Sequence, residues 1–294
     1  EQAQRVFARQ QQDSTLPKIL ADSLAKTEML IALRPFSVLQ GLRDPKVAAA
    51  ILDEVGGPCS QAATLVGDGD VKAAIRLLLA ISPEQIGTLV SSVPQAAARA
   101  GLSQEAVEAL KLILAEYPGD SGVLVATLLE HRTLGAGDAV YVPTGVVHAY
   151  ITGVGIEVMT NSDNVLRLGL TPKTVAVDAA LDALDVDLSP ESIGSEVIEL
   201  LDGGTIRDYS PPGAPFAVQW LSGGMTSVGS GAYRLVLAVD GPAQVTCGDQ
   251  VADLGQGQAA AVLANEPAVE VQTRGSVFVA TSRSGNEPGS PHEY

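Results

Sequence analysis

The stretch at 148–173 constrains the fold most, because a strand, a turn, a second strand and a polar loop follow one another in it. His148 and Tyr150 are two residues apart, so both side chains point to one face of a strand. The glycines within 152–155 predict a tight turn, and the returning strand alternates around Glu157. We therefore expect a hairpin that can set His148, Tyr150 and Glu157 on one surface, although the sequence does not fix the parity across the turn.

A polar loop with two cations follows this hairpin. Residues 160–164 are of types that hydrogen-bond their own backbone, and Arg167 and Lys173 come after them. Two fixed cations near a histidine and a glutamate suit an anionic, oxygen-rich ligand such as a sugar phosphate. Taken singly, each of these residues is more often structural, as a buried histidine or a solvated charge. The site hypothesis therefore depends on the run as a whole.

A helical block divides the chain into two β-rich parts. Between 44 and 116, apolar residues recur at spacings of three and four. From 206 onward, short apolar strands alternate with glycine and proline about every ten residues. The pattern predicts a mainly β fold with an α insertion, built from two jelly-roll β-barrel units and one inserted helical domain.

These patterns also predict the domain boundaries. Residues 1–43 and 117–180 form the first barrel, and 44–116 are inserted into it as the helical domain. Residues 181–205 form a helical connector with a helix start at Ser189-Pro190-Glu191, 206–283 form the second barrel, and 284–294 form a polar tail.

Charge and cysteine content exclude several kinds of partner. The net charge of −16 argues against nucleic acid or an anionic membrane, so a phosphate ligand would depend on local cations. Cys59 and Cys247 lie far apart in unlike contexts, a reduced pattern without a disulfide framework. No apolar run approaches the length of a membrane span, and the polar N-terminal residues predict a helix rather than a signal peptide. We expect a cytoplasmic monomer that binds a small molecule.

Two further charged residues open the apolar strand at 26–33. Lys26 and Glu28 are two apart and share a face of that strand. They could be an ordinary pair at a strand end, or the carboxylate could reach a metal ion with the lysine beside it. A strand, a glycine turn and a second strand lead to His148, an arrangement that brings this histidine to the inner wall of a barrel mouth. His131 and His292 have no such context, and we expect both at the surface.

The run at 148–173 resembles the long motif of the type I phosphomannose isomerases, a family of zinc-dependent cupin enzymes. That motif reads His-Ala-Tyr, a glycine turn, Glu-x-Met, Ser-Asp-Asn and then Arg-x-Gly-x-Thr-Pro-Lys. The matching residues are His148-Ala149-Tyr150, Gly153, Glu157-Val158-Met159, Ser162-Asp163-Asn164, Arg167, Gly169 and Thr171-Pro172-Lys173, with departures at Thr160 and Leu168. The family's short motif, Tyr-x-Asp-x-Asn-His-Lys-Pro-Glu, is matched more weakly, because only Asp22, Lys26 and Glu28 are retained.

The resemblance implies that both β-rich parts are cupin barrels and that zinc is the cofactor. In the family, a Gln-x-His pair, a glutamate and a histidine hold the ion, and by resemblance the last two are Glu28 and His148. The Gln-x-His pair precedes the segment that Glu1-Gln2-Ala3 resembles, so we expect the first barrel to lack its N-terminal strands. Two ligands hold zinc weakly. A protein that begins at Glu1 is therefore expected to be free of zinc and inactive.

The implied reaction is aldose–ketose isomerisation between mannose 6-phosphate and fructose 6-phosphate, through a zinc-assisted enediol. By resemblance, Arg167, Lys26, Glu157 and Tyr150 are catalytic, and Lys173 and Asp163 bind the substrate. Several roles stay open. Either lysine could pair with the phosphate, the arginine could bind it or stabilise the enediolate, and the aspartate could equally be a loop cap.

A second hypothesis is a non-catalytic cupin that binds a sugar or a protein partner after losing the complete zinc site. The changes in the short motif and the missing ligand pair favour it. Retention of Glu157, Arg167 and Lys173 in the long motif speaks against such decay, so the isomerase is the preferred interpretation.

Overall fold

The computed structural model describes residues 2–12, 19–173 and 175–283 of the chain. They divide into two compact units, Glu1–Glu191 and Ser192–Tyr294. The tail predicted at 284–294, with His292, lies outside the described residues.

The first unit combines strands from both sides of the helical block. Its elements are α1 (Gln2–Gln12), β1 (Glu28–Ala32), β2 (Phe36–Leu42), α2 (Pro45–Val55), α3 (Pro58–Gly67), α4 (Val71–Leu79), α5 (Pro83–Arg99), α6 (Gln104–Glu116), α7 (Gly122–Ala126), β3 (Leu129–Leu134), β4 (Ala139–Val142), β5 (His148–Thr152), β6 (Gly155–Met159) and α8 (Val177–Ala183). The N-terminal helix and the strand that begins near Glu28 follow the predictions.

Two antiparallel sheets form the barrel of this unit. β1 lies between β4 and β6, so Glu28 stands opposite Val142 on one side and Met159 on the other. β2 lies between β3 and β5, with Gln40 opposite His148. Because side chains alternate along a strand, Glu28 shares its face with Leu30 and Ala32. These join one apolar cluster with Phe36, Val38 and Leu134 of the second sheet and with Val140, Val142 and Val146.

The hairpin predicted between β5 and β6 is wrong. β5 pairs with β2 and β6 pairs with β1, so the turn carries the chain from one sheet to the other. At this corner Gly153 has φ 145°, and a Cβ there would lie 2.5 Å from the ring of Phe36. The glycines within 152–155 do separate the two strands, as predicted. The partners of β5 and β6 differ from the prediction because they are β2 and β1, which lie more than a hundred residues earlier.

In chain order, the helices α2–α6 come after β2 and before β3. They bury their apolar faces in a core that includes Leu39, on the outward face of β2. The carboxylates of Asp44 and Asp70 cap α2 and α4 by accepting hydrogen bonds from the backbone N–H of Lys46 at 2.8 Å and Ala73 at 3.0 Å. Among the described residues, no single helix is long and apolar enough to cross a membrane. Only when α4 and α5 are taken together, with a bend of 118° between them, are the length and apolar composition of a membrane span reached.

The second unit is β-sheet. After β7 (Glu191–Ile193), which spans the division between the units, come β8 (Glu196–Glu199), β9 (Thr205–Tyr209), β10 (Phe216–Val228), β11 (Arg234–Asp240), β12 (Ala243–Cys247), β13 (Gln250–Leu254), β14 (Ala259–Val262) and β15 (Val269–Ser282). β15 pairs with β10 on one edge, and with β12 and then β11 on the other. β15 is thus one strand of 14 residues, longer than the short strands that the spacing of glycine and proline predicts.

The helical connector predicted at 181–205 is wrong. Helix α8 ends at Ala183, and the residues beyond it form β7 and β8. Ser189-Pro190 resembles a helix start, but Val197 and Ile198 are β-branched and pair with Arg207 and Ile206 of β9. The local helix signal was therefore overridden by sheet pairing.

A buried arginine joins the loops of the second unit. Arg234 is only 1% exposed, and its guanidinium donates hydrogen bonds to the backbone carbonyls of Gly229, Leu263, Glu266 and Pro267 at 2.6–3.2 Å. Burying a cation is costly unless its donors are satisfied. Here carbonyl oxygens, rather than a carboxylate, receive the N–H groups of Nη1 and Nη2, while Nε makes no hydrogen bond within the described residues.

Candidate active site

A carboxylate and an imidazole from different sheets meet at the mouth of the first barrel. Nε2 of His148 lies 3.0 Å from Oε2 of Glu28, and the two residues are 120 positions apart in the chain. Nδ1 of the same ring lies 3.1 Å from the carbonyl oxygen of Val146. A carbonyl can only accept, so Nδ1 carries the proton and Nε2 is the atom turned to the carboxylate. The structure therefore brings Glu28 and His148 together.

The second oxygen of Glu28 is also engaged. Nζ of Lys26 forms an ion pair with Oε1, and both side chains are largely buried. The backbone carbonyl of Lys26 accepts a hydrogen bond of 2.8 Å from the Thr144 hydroxyl, which ties the start of β1 to the loop before His148. The three predicted residues therefore form one connected group.

Charge complementarity shifts the protonation of this group. Burial disfavours the ionised form of Glu28, but the hydrogen bonds and charges of His148 and Lys26 outweigh it and lower the pKa of the carboxyl. Burial likewise opposes protonation of His148, while the hydrogen bond and charge of Glu28 raise the pKa of the imidazole above its ordinary value. The carboxylate is therefore ionised at neutral pH.

Tyr150 and Glu157 lie beside this group. The rings of His148 and Tyr150 are 5.5 Å apart between centroids. The Tyr150 hydroxyl is buried and makes no hydrogen bond within the part of the chain that the structure describes. Burial and the carboxylates of Glu157 and Glu28 raise the pKa of Tyr150. Although Glu157 stays accessible to solvent, partial desolvation and the charge of Glu28 raise its pKa as well.

Gln40 is a candidate site residue that the sequence reasoning missed. It is 5% exposed, and its Oε1 has no hydrogen-bond partner among the described residues. It shares the inward face of β2 with Phe36 and Val38 and stands directly opposite His148. The sequence feature that could have indicated Gln40 is its position as the one amide residue in the mostly apolar strand 36–42.

The polar loop of the long motif is hydrogen-bonded to the segment that precedes β1. Oδ1 of Asn164 accepts hydrogen bonds from the backbone N–H of Ala21 at 2.9 Å and of Asp22 at 3.3 Å. The Ser162 hydroxyl donates to Asp22 at 3.0 Å. Asp163 is exposed, and it is its backbone N–H that reaches Asp22, at 3.3 Å. Ser162 and Asn164 therefore hold this loop, and they do so through the aspartate retained from the short motif.

A cavity of about 820 Å³ opens beside Glu28. Lys26, Glu28, His148 and Arg167 line it, and most of the remaining wall is apolar. Nη1 of Arg167 donates to the carbonyl of Val165 at 3.1 Å. Lys173 and Asp163 are exposed and lie outside the cavity lining. The structure thus brings four of the predicted site residues to one cavity and leaves these two at the surface.

A close backbone contact fixes the loop that carries Arg167. A Cβ on Gly169 would lie 2.5 Å from Cα of Gly122, and one on Gly122 would lie 2.7 Å from the backbone nitrogen of Leu170. Leu170 itself has φ 55°, in the left-handed region that side chains rarely occupy. Oδ1 of Asp120 accepts from the Gly122 N–H at 2.7 Å. Two glycines are therefore needed for the loop to reach α7.

Comparisons with known proteins agree with this geometry. No family model matches the chain. The mannose-6-phosphate isomerase of Escherichia coli strain K12 is 29% identical over 255 residues, which are 85% of this chain and 64% of that protein. A probable mannose-6-phosphate isomerase of Dictyostelium discoideum is 31% identical over 212 residues, covering 69% of this chain and 47% of that protein. The chain thus spans less than two thirds of the length of these relatives.

Solved structures show the same fold. The mannose 6-phosphate isomerase of Salmonella typhimurium, bound to its substrate fructose 6-phosphate and zinc, superposes with a TM-score of 0.77 at 24% identity, covering 96% of this chain and 73% of that one. A mutant phosphomannose isomerase from the same organism gives a TM-score of 0.79 at 23% identity, with the same coverage.

The fold and the carboxylate–imidazole group define a protein of the cupin class with a candidate metal centre. Within that class, the chain is related to the mannose-6-phosphate isomerases, which confirms the resemblance read from its motifs.

Proposed function

We propose that this protein interconverts mannose 6-phosphate and fructose 6-phosphate, with a zinc ion held by Glu28 and His148. The observation that carries the proposal is the 3.0 Å approach of Nε2 to Oε2 at the edge of a cavity that two cations also line. The names of the relatives support the reaction, and the bound sugar phosphate and zinc of the Salmonella structure support the substrate and the cofactor.

The residues present fit zinc in type and spacing. Zinc binds imidazole nitrogen and carboxylate oxygen at about 2.0 Å each, so two donors on one tetrahedral ion stand roughly 3.3 Å apart. A metal-bound histidine usually donates its other N–H to a carbonyl or carboxylate, as Nδ1 of His148 does to Val146. Among the described residues, no group of three or more His, Cys, Asp or Glu side chains is arranged to hold a metal. Within the described residues, Glu28 and His148 thus stand as a pair rather than as part of a larger group of such side chains.

When bound, zinc would polarise the oxygens of the substrate as a Lewis acid. The protein's own groups then divide the remaining tasks. Lys26 is committed to Glu28, whereas Arg167 makes no ion pair within the described part of the chain, so we assign Arg167 to the negative charge that develops on the substrate. Glu157, whose pKa is raised toward the working range of a general base, is assigned the proton transfer between adjacent carbons.

The outer residues of the motif have lesser roles in this proposal. Tyr150 lies beside Glu157 and would orient it through its hydroxyl. Lys173 follows Arg167 on the same loop, and we assign it to the phosphate as a point charge that acts from outside the cavity lining. We assign Asp163 to substrate binding. Its backbone N–H donates a hydrogen bond to the carboxylate of Asp22.

The test is a coupled assay of both directions of the isomerisation with the purified full-length protein in the presence of zinc. We expect turnover that chelation abolishes and that Arg167→Met lowers by about 100-fold or more, the scale seen when a charge-stabilising donor is removed. Arg99→Met, which removes an exposed arginine paired with Glu54, is the matched control. Absence of both turnover and zinc-dependent binding of fructose 6-phosphate would overturn the proposal.

We also propose that the protein works as a cytoplasmic monomer, without nucleic acid or membrane as partner. The net charge of −16 and the free Cys59 and Cys247 support this assignment. Size-exclusion chromatography with light scattering tests the monomer, and a dimer mass would overturn it.

A further inference from the structure

We propose that Thr160 is a positioning residue for Lys26, because its one hydroxyl binds the backbone on both sides of that lysine. The inference rests on the proposed function, in which Lys26 holds the carboxylate of Glu28, and it adds a residue that neither motif contains. Thr160 lies outside the lining of the cavity and acts through Lys26, which belongs to that lining.

The Thr160 hydroxyl bridges the two neighbours of Lys26 in the chain. Its Oγ1 accepts a hydrogen bond of 3.1 Å from the backbone N–H of Thr27, and the hydroxyl donates one of 2.9 Å to the carbonyl oxygen of Ala25. The backbone N–H of Thr160 also donates to the carbonyl of Thr27 at 3.1 Å. Since β1 begins at Glu28, these three bonds fix the segment that precedes the strand and carries Lys26.

A fixed backbone determines where the ammonium group of Lys26 arrives. Nζ of Lys26 pairs with Oε1 of Glu28, and the two side chains are only 12% and 9% exposed. Lysine is among the side chains that lose most conformational freedom when they are ordered. The peptide unit that follows Lys26 is held at both of its polar atoms, because Thr144 donates to its carbonyl at 2.8 Å and Thr160 accepts from its N–H. Only the side chain of Lys26 then remains to be ordered.

Two departures from the motifs meet in this contact. The short motif has proline at the position of Thr27, and Thr160 is one of the departures from the long motif. Proline has no backbone N–H and fixes its own φ. Thr27 instead offers an N–H, and Thr160 supplies the acceptor for it. We infer that this hydrogen bond provides the restraint that a proline ring would give.

The experiment measures kcat and KM of the full-length protein, in the presence of zinc, for Thr160→Val and Thr160→Ser. Valine keeps the branched shape and removes the hydroxyl, whereas serine retains the hydroxyl. For Thr160→Val, we expect kcat to fall by about 10–100-fold, the scale for loss of a partner that supports a metal ligand. We expect a smaller change in KM, because Lys26 is committed to Glu28 rather than to the substrate. Thr160→Ser should restore most of the lost kcat.

A second measurement does not depend on turnover. Acylation by acetic anhydride, followed by mass spectrometry of the peptide that contains Lys26, reports whether its amine is still held against Glu28. We expect Lys26 to react faster in Thr160→Val than in the unaltered protein. Lys111, whose side chain is 52% exposed, is the internal reference and should react equally in both.

Thr273→Val is the matched control. The Thr273 hydroxyl, in the second unit, accepts from the backbone N–H of Gly275 at 3.0 Å and donates to the carbonyl of Pro242 at 2.8 Å. The same two kinds of hydrogen bond are therefore lost at a residue outside the cavity lining. This variant should lower the melting temperature and leave kcat unchanged.

The outcomes separate a positioning role from a structural one. If Thr160→Val lowers only the melting temperature, as the control does, or if serine fails to restore kcat, Thr160 is structural and the inference is overturned. If the unaltered full-length protein shows no turnover, the proposed function fails and the acylation rates decide the inference. Faster acylation of Lys26 in Thr160→Val then supports it, and an unchanged rate overturns it.

Discussion

Nε2 of His148 and Oε2 of Glu28 approach to 3.0 Å across the interior of the first barrel, although the residues belong to different sheets. Each also has a supporting partner, the Val146 carbonyl for the imidazole and Lys26 for the carboxylate. The pair is therefore oriented before any ligand arrives, which is the condition for a site that binds tightly.

Removing the carboxylate should remove the metal. We expect Glu28→Gln to lower zinc affinity by more than the roughly 10–100-fold that loss of a supporting partner costs, and isomerase turnover should fall in parallel. Equilibrium dialysis followed by elemental analysis measures the first effect. Glu54→Gln alters an exposed glutamate paired with Arg99 at 2.6 Å and serves as the control. Equal zinc content in both variants would contradict the assignment.

The same pair should make metal-free stability depend on pH in a defined direction. The pKa of Glu28 is lowered from its ordinary 4.5, so its contribution is present above that pH and lost as pH falls through the lower folded pKa. The pKa of His148 is raised from 6.5, so its contribution is full below that pH and lost as pH rises through the raised value. The joint contribution should therefore be greatest between about 4.5 and 6.5.

Urea unfolding of the metal-free chain, from below pH 4.5 to above the raised pKa of His148, measures that contribution. His148→Asn should flatten the alkaline side of the curve. His131→Asn is an instructive control, because burial and the charge of Arg43 lower the pKa of His131. Its contribution has the opposite sign, since stability is lost as pH falls below 6.5. A steeper alkaline side in the His148 variant would contradict the prediction.

The contact between Gly122 and Gly169 should be intolerant of even one methyl group. Gly122→Ala would place a Cβ 2.7 Å from the backbone of Leu170. We expect a loss of about 1–3 kcal/mol in unfolding free energy, typical of overpacking, and reduced turnover because the loop with Arg167 shifts. Gly119→Ala, where a Cβ meets nothing within 4 Å, is the matched control. Similar melting temperatures for the two variants would refute the steric argument.

The carbonyl cluster around Arg234 should be a main support of the second unit. Arg234→Met leaves four backbone carbonyls without their buried donor. Each such group costs about 1–3 kcal/mol when unsatisfied, so we expect a loss of about 3 kcal/mol or more. Chemical unfolding followed by Trp220 fluorescence reports on this unit. Arg274→Met removes an exposed arginine on β15 and should change stability little.

Half of the candidate site could be predicted from spacing and motif. Lys26 and Glu28 share a strand face, and the motif assigned a role to His148. Gln40 could not be found in this way, because its inward direction is decided by pairing of β2 with β5, about a hundred residues downstream. The exposed positions of Lys173 and Asp163 were likewise invisible, since a motif records order along the chain and not direction in space.

The amino-acid sequence by itself determined the local elements, from the alternation of apolar residues and the placement of glycine and proline. It also indicated the relationship to the mannose-6-phosphate isomerases, through the ordered motif residues at 148–173. Only the tertiary structure decided that β5 and β6 part into two sheets, that 191–199 are strands, and that a buried amide faces the histidine. The physical reason is that strand pairing is made between distant segments, whereas propensity and periodicity are properties of neighbours.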